Sequence, residues 1–222
     1  MKKLELWPVI HVTNPDRAIV DARMCFDVGC DGVWFIQMQG HDYILFPLLD
    51  RVRNEVDNKF PVGANFLSMT SVGALSKSAE LGFDATWADN CGVHSSGCSE
   101  IAYQTSNVLK AYPGHKFFGS VAFKYQKEDK DPRTAALLAH NYGFIPTTSG
   151  SGTGSAPEWG KLREMFDGGK GQLAVASGID VYNIEHLAPY MTHAFVATSI
   201  SNDQDRIDLK KLTELKDKID SL

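Results

Sequence analysis

Eight times in 222 residues a short apolar, β-rich run is followed by a helical stretch. The runs fall at 6–12, 32–38, 61–67, 84–89, 116–123, 144–148, 172–177 and 193–198. Typical ones read Val33-Trp34-Phe35-Ile36 and Phe117-Phe118-Gly119-Ser120-Val121. Strands this uniformly apolar suit a parallel sheet covered on both faces. Eight βα units of about 28 residues each leave no length for a second domain, so the expected architecture is α/β, one (β/α)8 TIM barrel over residues 1–222. The rival, an open doubly wound sheet, carries a glycine-rich loop after its first strand. Here that loop reads His11-Val12-Thr13-Asn14-Pro15 and has no glycine.

The intervening segments carry helix signals. Leu45, Leu48, Leu49, Val52 and Val56 form an apolar stripe, as do Leu209, Leu212, Leu215, Ile219 and Leu222 in a final helix expected from about residue 206. Asn14-Pro15 and Asp131-Pro132 place a capping side chain before a proline at the first helical position. Ser155-x-x-Glu158 has capping-box spacing, and Gly29, Gly82 and Gly143 stand at expected helix ends. Val28-Gly29-Cys30-Asp31-Gly32-Val33 echoes Leu81-Gly82-Phe83-Asp84-Ala85-Thr86. Shared turn chemistry accounts for the echo better than duplication does.

A net charge of −5 argues against a nucleic-acid surface, which needs Lys and Arg to neutralise phosphates. A small anion remains compatible with it, because backbone N–H groups can bind one locally. No apolar run approaches the roughly 20 residues of a membrane span. Met1-Lys2-Lys3 is charged like the start of a signal peptide, but no apolar stretch follows. Cys25, Cys30, Cys91 and Cys98 form no C-x-x-C pair, and a reducing, cytoplasmic compartment is expected.

Barrel active sites are built on the loops at the C-terminal strand ends. Polar residues gather there: His11 after strand 1, Asn65 and Ser68 after strand 3, Asp89 after strand 4, Lys124 after strand 5. Ala176-Ser177-Gly178-Ile179-Asp180 runs from strand 7 into a helix start capped by Asp180, and Ala197-Thr198-Ser199 follows strand 8. A phosphate commonly lies between these two loops, on N–H donors and hydroxyls. Asp89 is the carboxylate that ends a central strand and is the expected general acid or base. Lys124, between Phe123 and Tyr125, serves as a Schiff-base former if desolvation lowers its pKa, or as a charge that holds phosphate or carboxylate. His11 is a proton carrier or a hydrogen-bonded pocket residue. The run Ser149-Gly150-Ser151-Gly152-Thr153-Gly154 reads as a mobile lid, with Gly152 close to the phosphate. No Gly-Lys-Ser/Thr follows it, so it is not a P-loop. Cys91, His94 and Cys98 fit no zinc spacing, and neither a metal nor another cofactor is expected.

Taken in order, these motifs resemble the BtpA family of the ribulose-phosphate-binding barrel group, over almost the whole length. Pro8-Val9-Ile10-His11, Asp31-Gly32-Val33, Gly63-Ala64-Asn65 and Val121-Ala122-Phe123-Lys124 carry the resemblance in the first five strands. Thr148 to Gly154, Ala176-Ser177-Gly178-Ile179 with Asn183, and Ala197-Thr198-Ser199 carry it in the last three. The chain departs from that pattern in lacking the proline-rich loop after strand 1. It has Gln37-Met38-Gln39 where the family has Glu-Asn, and Ala197 where the family has glycine. The resemblance implies a barrel with a phosphate site and carries no established reaction; one member is linked to photosystem I biogenesis. Two functions follow as expectations. One is an enzyme on a sugar-phosphate or phosphoribosyl-like compound, a lyase, aldolase or isomerase, with Asp89, Lys124 and His11 catalytic. Asn65, Gly152, Ser177, Gly178, Thr198 and Ser199 would bind its substrate or phosphate. The other is a non-catalytic assembly or regulatory factor that keeps the pocket. The expected partner is a phosphorylated small molecule, with no nucleic acid and no membrane span; self-association into a homo-oligomer is left open.

Overall fold

In the computed structural model, residues 3–152 and 154–222 are described, and Met1, Lys2 and Thr153, all used above, lie outside them. Eight parallel strands form a closed barrel: β1 (Glu5–His11), β2 (Val33–Ile36), β3 (Val62–Asn65), β4 (Ala85–Ala88), β5 (Lys116–Ser120), β6 (Ile145–Thr148), β7 (Ala174–Ala176) and β8 (His193–Val196). Each pairs with its neighbours in chain order, and β8 closes on β1 with Glu5 beside His193 and Trp7 beside Phe195. The helices are α1 (Pro15–Val28), α2 (Leu48–Glu55), α3 (Ser71–Glu80), α4 (Glu100–Ala111), α5 (Pro132–Asn141), α6 (Trp159–Gly168), α7 (Ile184–Leu187) and α8 (Leu209–Asp220). The fold is the (β/α)8 barrel, with every expected strand present. A short antiparallel hairpin, Val93–His94 with Gly97–Cys98, is inserted between β4 and α4.

The caps at Asn14 and Asp131 form as the sequence predicts, accepting the N–H of Arg17 and of Thr134. Gly29 takes a left-handed φ of 84°, which lets α1 turn into β2. The capping box at Ser155 does not form. Helix α6 begins at Trp159, so Glu158 occupies the cap position itself and makes no side-chain cap bond. In the final stripe Leu212, Leu215 and Ile219 are buried, while Leu209 and Leu222 at its ends are exposed.

The echo at Asp31 and Asp84 has a physical basis. Asp31 Oδ2 accepts the Leu6 N–H at 2.9 Å, and Asp84 Oδ2 accepts the Val62 N–H at 2.8 Å. Each aspartate therefore pins the start of the preceding strand to the start of its own.

Alternate strand residues divide the apolar side chains into two cores. Leu6, Ile10, Val33, Phe35, Val62 and Ala64 face the helices. Trp7, Val9, Trp34, Ile36, Trp87, Phe118 and Phe195 fill the barrel. Trp34 stands at the centre, its ring 5.3 Å from Trp7, 5.3 Å from Phe118 and 5.0 Å from Phe195. A Cβ on Gly63 would lie 2.2 Å from the Trp34 ring, so glycine there makes room for the indole.

The inward face of β1 thus reads Glu5, Trp7, Val9, His11: a charge at the bottom, an apolar middle and a polar group at the top. At the bottom, Glu5 meets Lys116 Nζ at 3.2 Å and His193 Nε2 at 3.3 Å, and accepts the Trp7 indole N–H at 3.0 Å. Burial alone would raise the Glu5 carboxyl, but His193, Trp7 and Lys116 outweigh it and hold the group at about 2.

Candidate active site

The C-terminal mouth of the barrel opens into a cavity of about 380 Å³. His11, Asp89, Lys124, Ser177, Gly178, Thr198 and Ser199 all line it, brought from β1, β4, β5, β7 and β8. Each follows directly from an inward-facing strand or from the turn after one.

Asp89 continues the inward register of Trp87. Its Oδ1 accepts the Asn65 amide at 3.0 Å. Burial pushes its carboxyl above the ordinary value, opposed by that hydrogen bond and by the Lys124 charge. The loop behind it is fixed by Gln126, whose amide donates to Asp89 O at 2.6 Å and to Ser120 O at 3.1 Å. Asn65 itself faces a neighbouring cavity of about 440 Å³ and reaches the main one through Asp89. Asp89 and Leu67 are common walls of both cavities.

Lys124 donates its ammonium to Ser177 Oγ at 3.0 Å, linking the β5 and β7 loops, and its own N–H donates to Ser149 Oγ at 2.8 Å. Three non-glycine residues near it adopt positive φ: Ala122 at 45°, Tyr125 at 65° and Ser177 at 96°. Backbone strain of this kind concentrates at functional sites, where the surrounding structure has to hold it. Lys161 supplies part of that hold. From α6 it donates to Ala122 O and to Ser149 O, and burial pulls its ammonium down to about 8 despite Glu158 and Asp129. No local sequence signal marks Lys161, because it reaches the loops from the middle of a helical pattern.

The expected phosphate loops converge, with one change of mechanism. Helix α7 is four residues long, and the Asp180 carboxylate already accepts the N–H groups of Tyr182 and Asn183. The helix-start donors invoked from sequence are therefore occupied. The N–H groups of Gly178, Ile179, Thr198 and Ser199 remain, and they donate to no protein acceptor among the described residues. Ser199 Oγ donates to Ile179 O at 2.6 Å and ties the two loops together. A Cβ on Gly178 would fall 2.0 Å from Ala156 N, so this glycine admits the crossing β6 loop. A larger residue there displaces that loop as well as crowding the cavity.

The lid reading needs new bounds. Ser149 and Gly150 are buried, and Ser149 is held by Lys124 and Lys161. The exposed part runs from Ser151 to Ala156, apart from the half-buried Gly152 and with Thr153 outside the described residues. Gly152 does not line the cavity; Gly154 does. Gln37 is turned into its own loop, where Oε1 accepts the N–H groups of Gln39 and His41. Met38 lines the cavity instead. His11 Nδ1 lies 2.6 Å from Asp205 Oδ2, a partner 194 residues away that no motif announced. Among the described residues no three His, Cys, Asp or Glu side chains group as a metal site. Cys91 is buried against Ser120 O, its thiol pushed up to about 12.

No family model matches the sequence, and no curated protein does either. Solved structures match the fold. Phosphoribosyl anthranilate isomerase from Thermus thermophilus superposes with a TM-score of 0.71 at 14% identity, over 98% of this chain and 99% of that one. A native KDPGal structure gives 0.69 at 14% identity, over 100% and 95%. The 2-keto-3-deoxy-6-phospho-gluconate aldolase of Zymomonas mobilis gives 0.65 at 12% identity, over 98% and 93%. At such identities the likeness establishes the barrel alone.

Proposed function

We propose that the protein is an enzyme acting on a phosphorylated small molecule of the sugar-phosphate kind, by isomerase or lyase chemistry, and that it is a BtpA-like barrel. The observation that carries this reading is the convergence on one cavity of a carboxyl group with raised proton affinity, an ammonium group, and four backbone N–H groups without an acceptor among the described residues. The N–H groups of Gly178, Ile179, Thr198 and Ser199 hold the phosphate, with the Thr198 hydroxyl and the Lys124 charge beside them. Asp89, pushed by burial toward its protonated form, moves a proton to or from the carbon skeleton. Lys124 stabilises the negative charge that develops there. Its hydrogen bond to Ser177 suits this electrostatic role better than imine formation. His11, oriented by Asp205, positions a substrate hydroxyl. The matched barrels whose names carry a phosphorylated substrate, an isomerase and an aldolase, agree with the reading in kind.

The test is calorimetry with ribose 5-phosphate against ribose. Ribose 5-phosphate is expected to bind at least tenfold more tightly, and Lys124→Gln to lessen the difference without abolishing it. Equal affinity for the two ligands would end the phosphate reading. Borohydride trapping of a covalent adduct on Lys124 would replace the electrostatic role with an imine.

A further inference from the structure

We propose that the ligand of this cavity carries an aromatic ring at the end away from its phosphate, seated on a floor made by Val9, Ile36, Trp87 and Phe195. The inference rests on the phosphate reading above and adds the class of molecule to it.

The floor is the top layer of the inner apolar core. Val9, Ile36, Trp87, Ala176 and Phe195 belong to that core and also line the cavity. The polar groups of the layer are directed elsewhere. The Trp87 indole N–H donates to Ser120 Oγ at 3.0 Å, within the barrel. One layer further down, Trp34 Nε1 is buried with no partner among the described residues. A side chain left unpaired in this way marks an interior without polar atoms to offer. The cavity's hydrogen-bonding groups stand instead around its rim: Asp89, Lys124 and Ser177 on one side, His11, Thr198 and Ser199 on the other.

A sugar phosphate alone uses only the rim: any hydroxyl placed over Val9, Ile36 and Phe195 would lose water and gain no partner. A flat apolar ring gains on the same surface. It loses no hydrogen bonds, buries its area, and meets Trp87 and Phe195, whose own rings lie 5.3 Å apart at 52°. The cavity's 380 Å³ has room for a ring, a short linker and a phosphate group. The linker carbons then pass Asp89 and Lys124, the two groups equipped to move a proton and balance charge.

The experiment is calorimetry on the wild-type protein at fixed ionic strength with 3-phenylpropyl phosphate, ribose 5-phosphate, inorganic phosphate and 3-phenylpropanol. We expect 3-phenylpropyl phosphate to bind at least tenfold more tightly than ribose 5-phosphate or inorganic phosphate. Val9→Thr, nearly equal in volume, should cut that preference about threefold or more by placing a hydroxyl on the floor. If this variant does not fold, the wild-type series decides alone. Equal affinity for 3-phenylpropyl phosphate and ribose 5-phosphate overturns the ring and leaves the phosphate reading in place. Equal affinity for 3-phenylpropanol and its phosphate ester overturns the phosphate reading on which the proposal is built. Binding of none overturns both.

Discussion

Asp89 bears a carboxyl group where burial disfavours its charge, and the Asn65 amide and the Lys124 ammonium compensate only in part. A carboxyl whose folded pKa is raised contributes stability below its unfolded value and loses it as pH rises through the folded one. At neutral pH the ionised group is therefore a burden on the fold. Asp89→Asn keeps an acceptor for Asn65 and removes the charge. Removing that burden is expected to bring roughly 0.5–2 kcal/mol, the usual yield of a single stabilising substitution. The variant is expected to melt higher than wild type at pH 7 and to lose that advantage below pH 4, as read by thermal denaturation across pH. A lower melting temperature at pH 7 would mean that Asp89 is a structural anchor. Asp89, Lys124, His11, Ser177 and Thr198 were legible in the sequence for one reason: each is polar at the end of an apolar run, and the barrel sends such positions to the mouth. Lys161 and Asp205 were not, because they reach the site from α6 and from the loop before α8. Gly154 rather than Gly152 lines the cavity, and composition alone cannot say which glycine of a run faces it.

The strands could be read because both of their faces are apolar, and α1 and α5 because a capping side chain and a proline coincide. Helix α7 misled. The cap at Asp180 predicts a helix from there, yet the Asp180 turn uses the first N–H groups and only Ile184–Leu187 is helical. The β5 and β6 loops depend on a contact between elements that no local pattern encodes, the Lys161 ammonium shared by Ala122 O and Ser149 O. Lys161→Met keeps much of the apolar stem and removes both hydrogen bonds. Ser149 then loses the donor that fixes its carbonyl, and the Lys124 N–H loses a well-placed acceptor in Ser149 Oγ. Amide exchange at Lys124 is expected to accelerate by about tenfold, the scale of one lost hydrogen bond, while Phe118 inside β5 keeps its protection. Equal acceleration at both would point to general destabilisation and remove the brace.

At the scale of the whole barrel the two ends are chemically separate, divided by the layer of Trp7, Trp34, Phe118 and Phe195. The top gathers the buried acid, the N–H donors without an acceptor among the described residues, and four of the five described non-glycine residues with positive φ. The bottom holds Glu5, Lys116 and His193 in a compensated cluster. In (β/α)8 barrels the C-terminal face carries function and the opposite face stability, so a change at one end should leave the other unmoved. Glu5 tests this. Its folded pKa is about 2 against an ordinary 4.5, and a depressed carboxyl contributes stability above its unfolded value that is lost as pH falls through the folded one. The loss therefore falls between about pH 4.5 and pH 2. With about a third of the side chain exposed, the contribution is about 1–2 kcal/mol after allowance for solvent screening. Glu5→Gln should melt lower than wild type at pH 7, and the two melting curves should converge as pH approaches 2. Its affinity for ribose 5-phosphate at pH 7 should match that of wild type within about twofold. A weakened ligand would mean that the aromatic layer transmits strain from bottom to top, and the barrel would then have to be treated as one coupled unit.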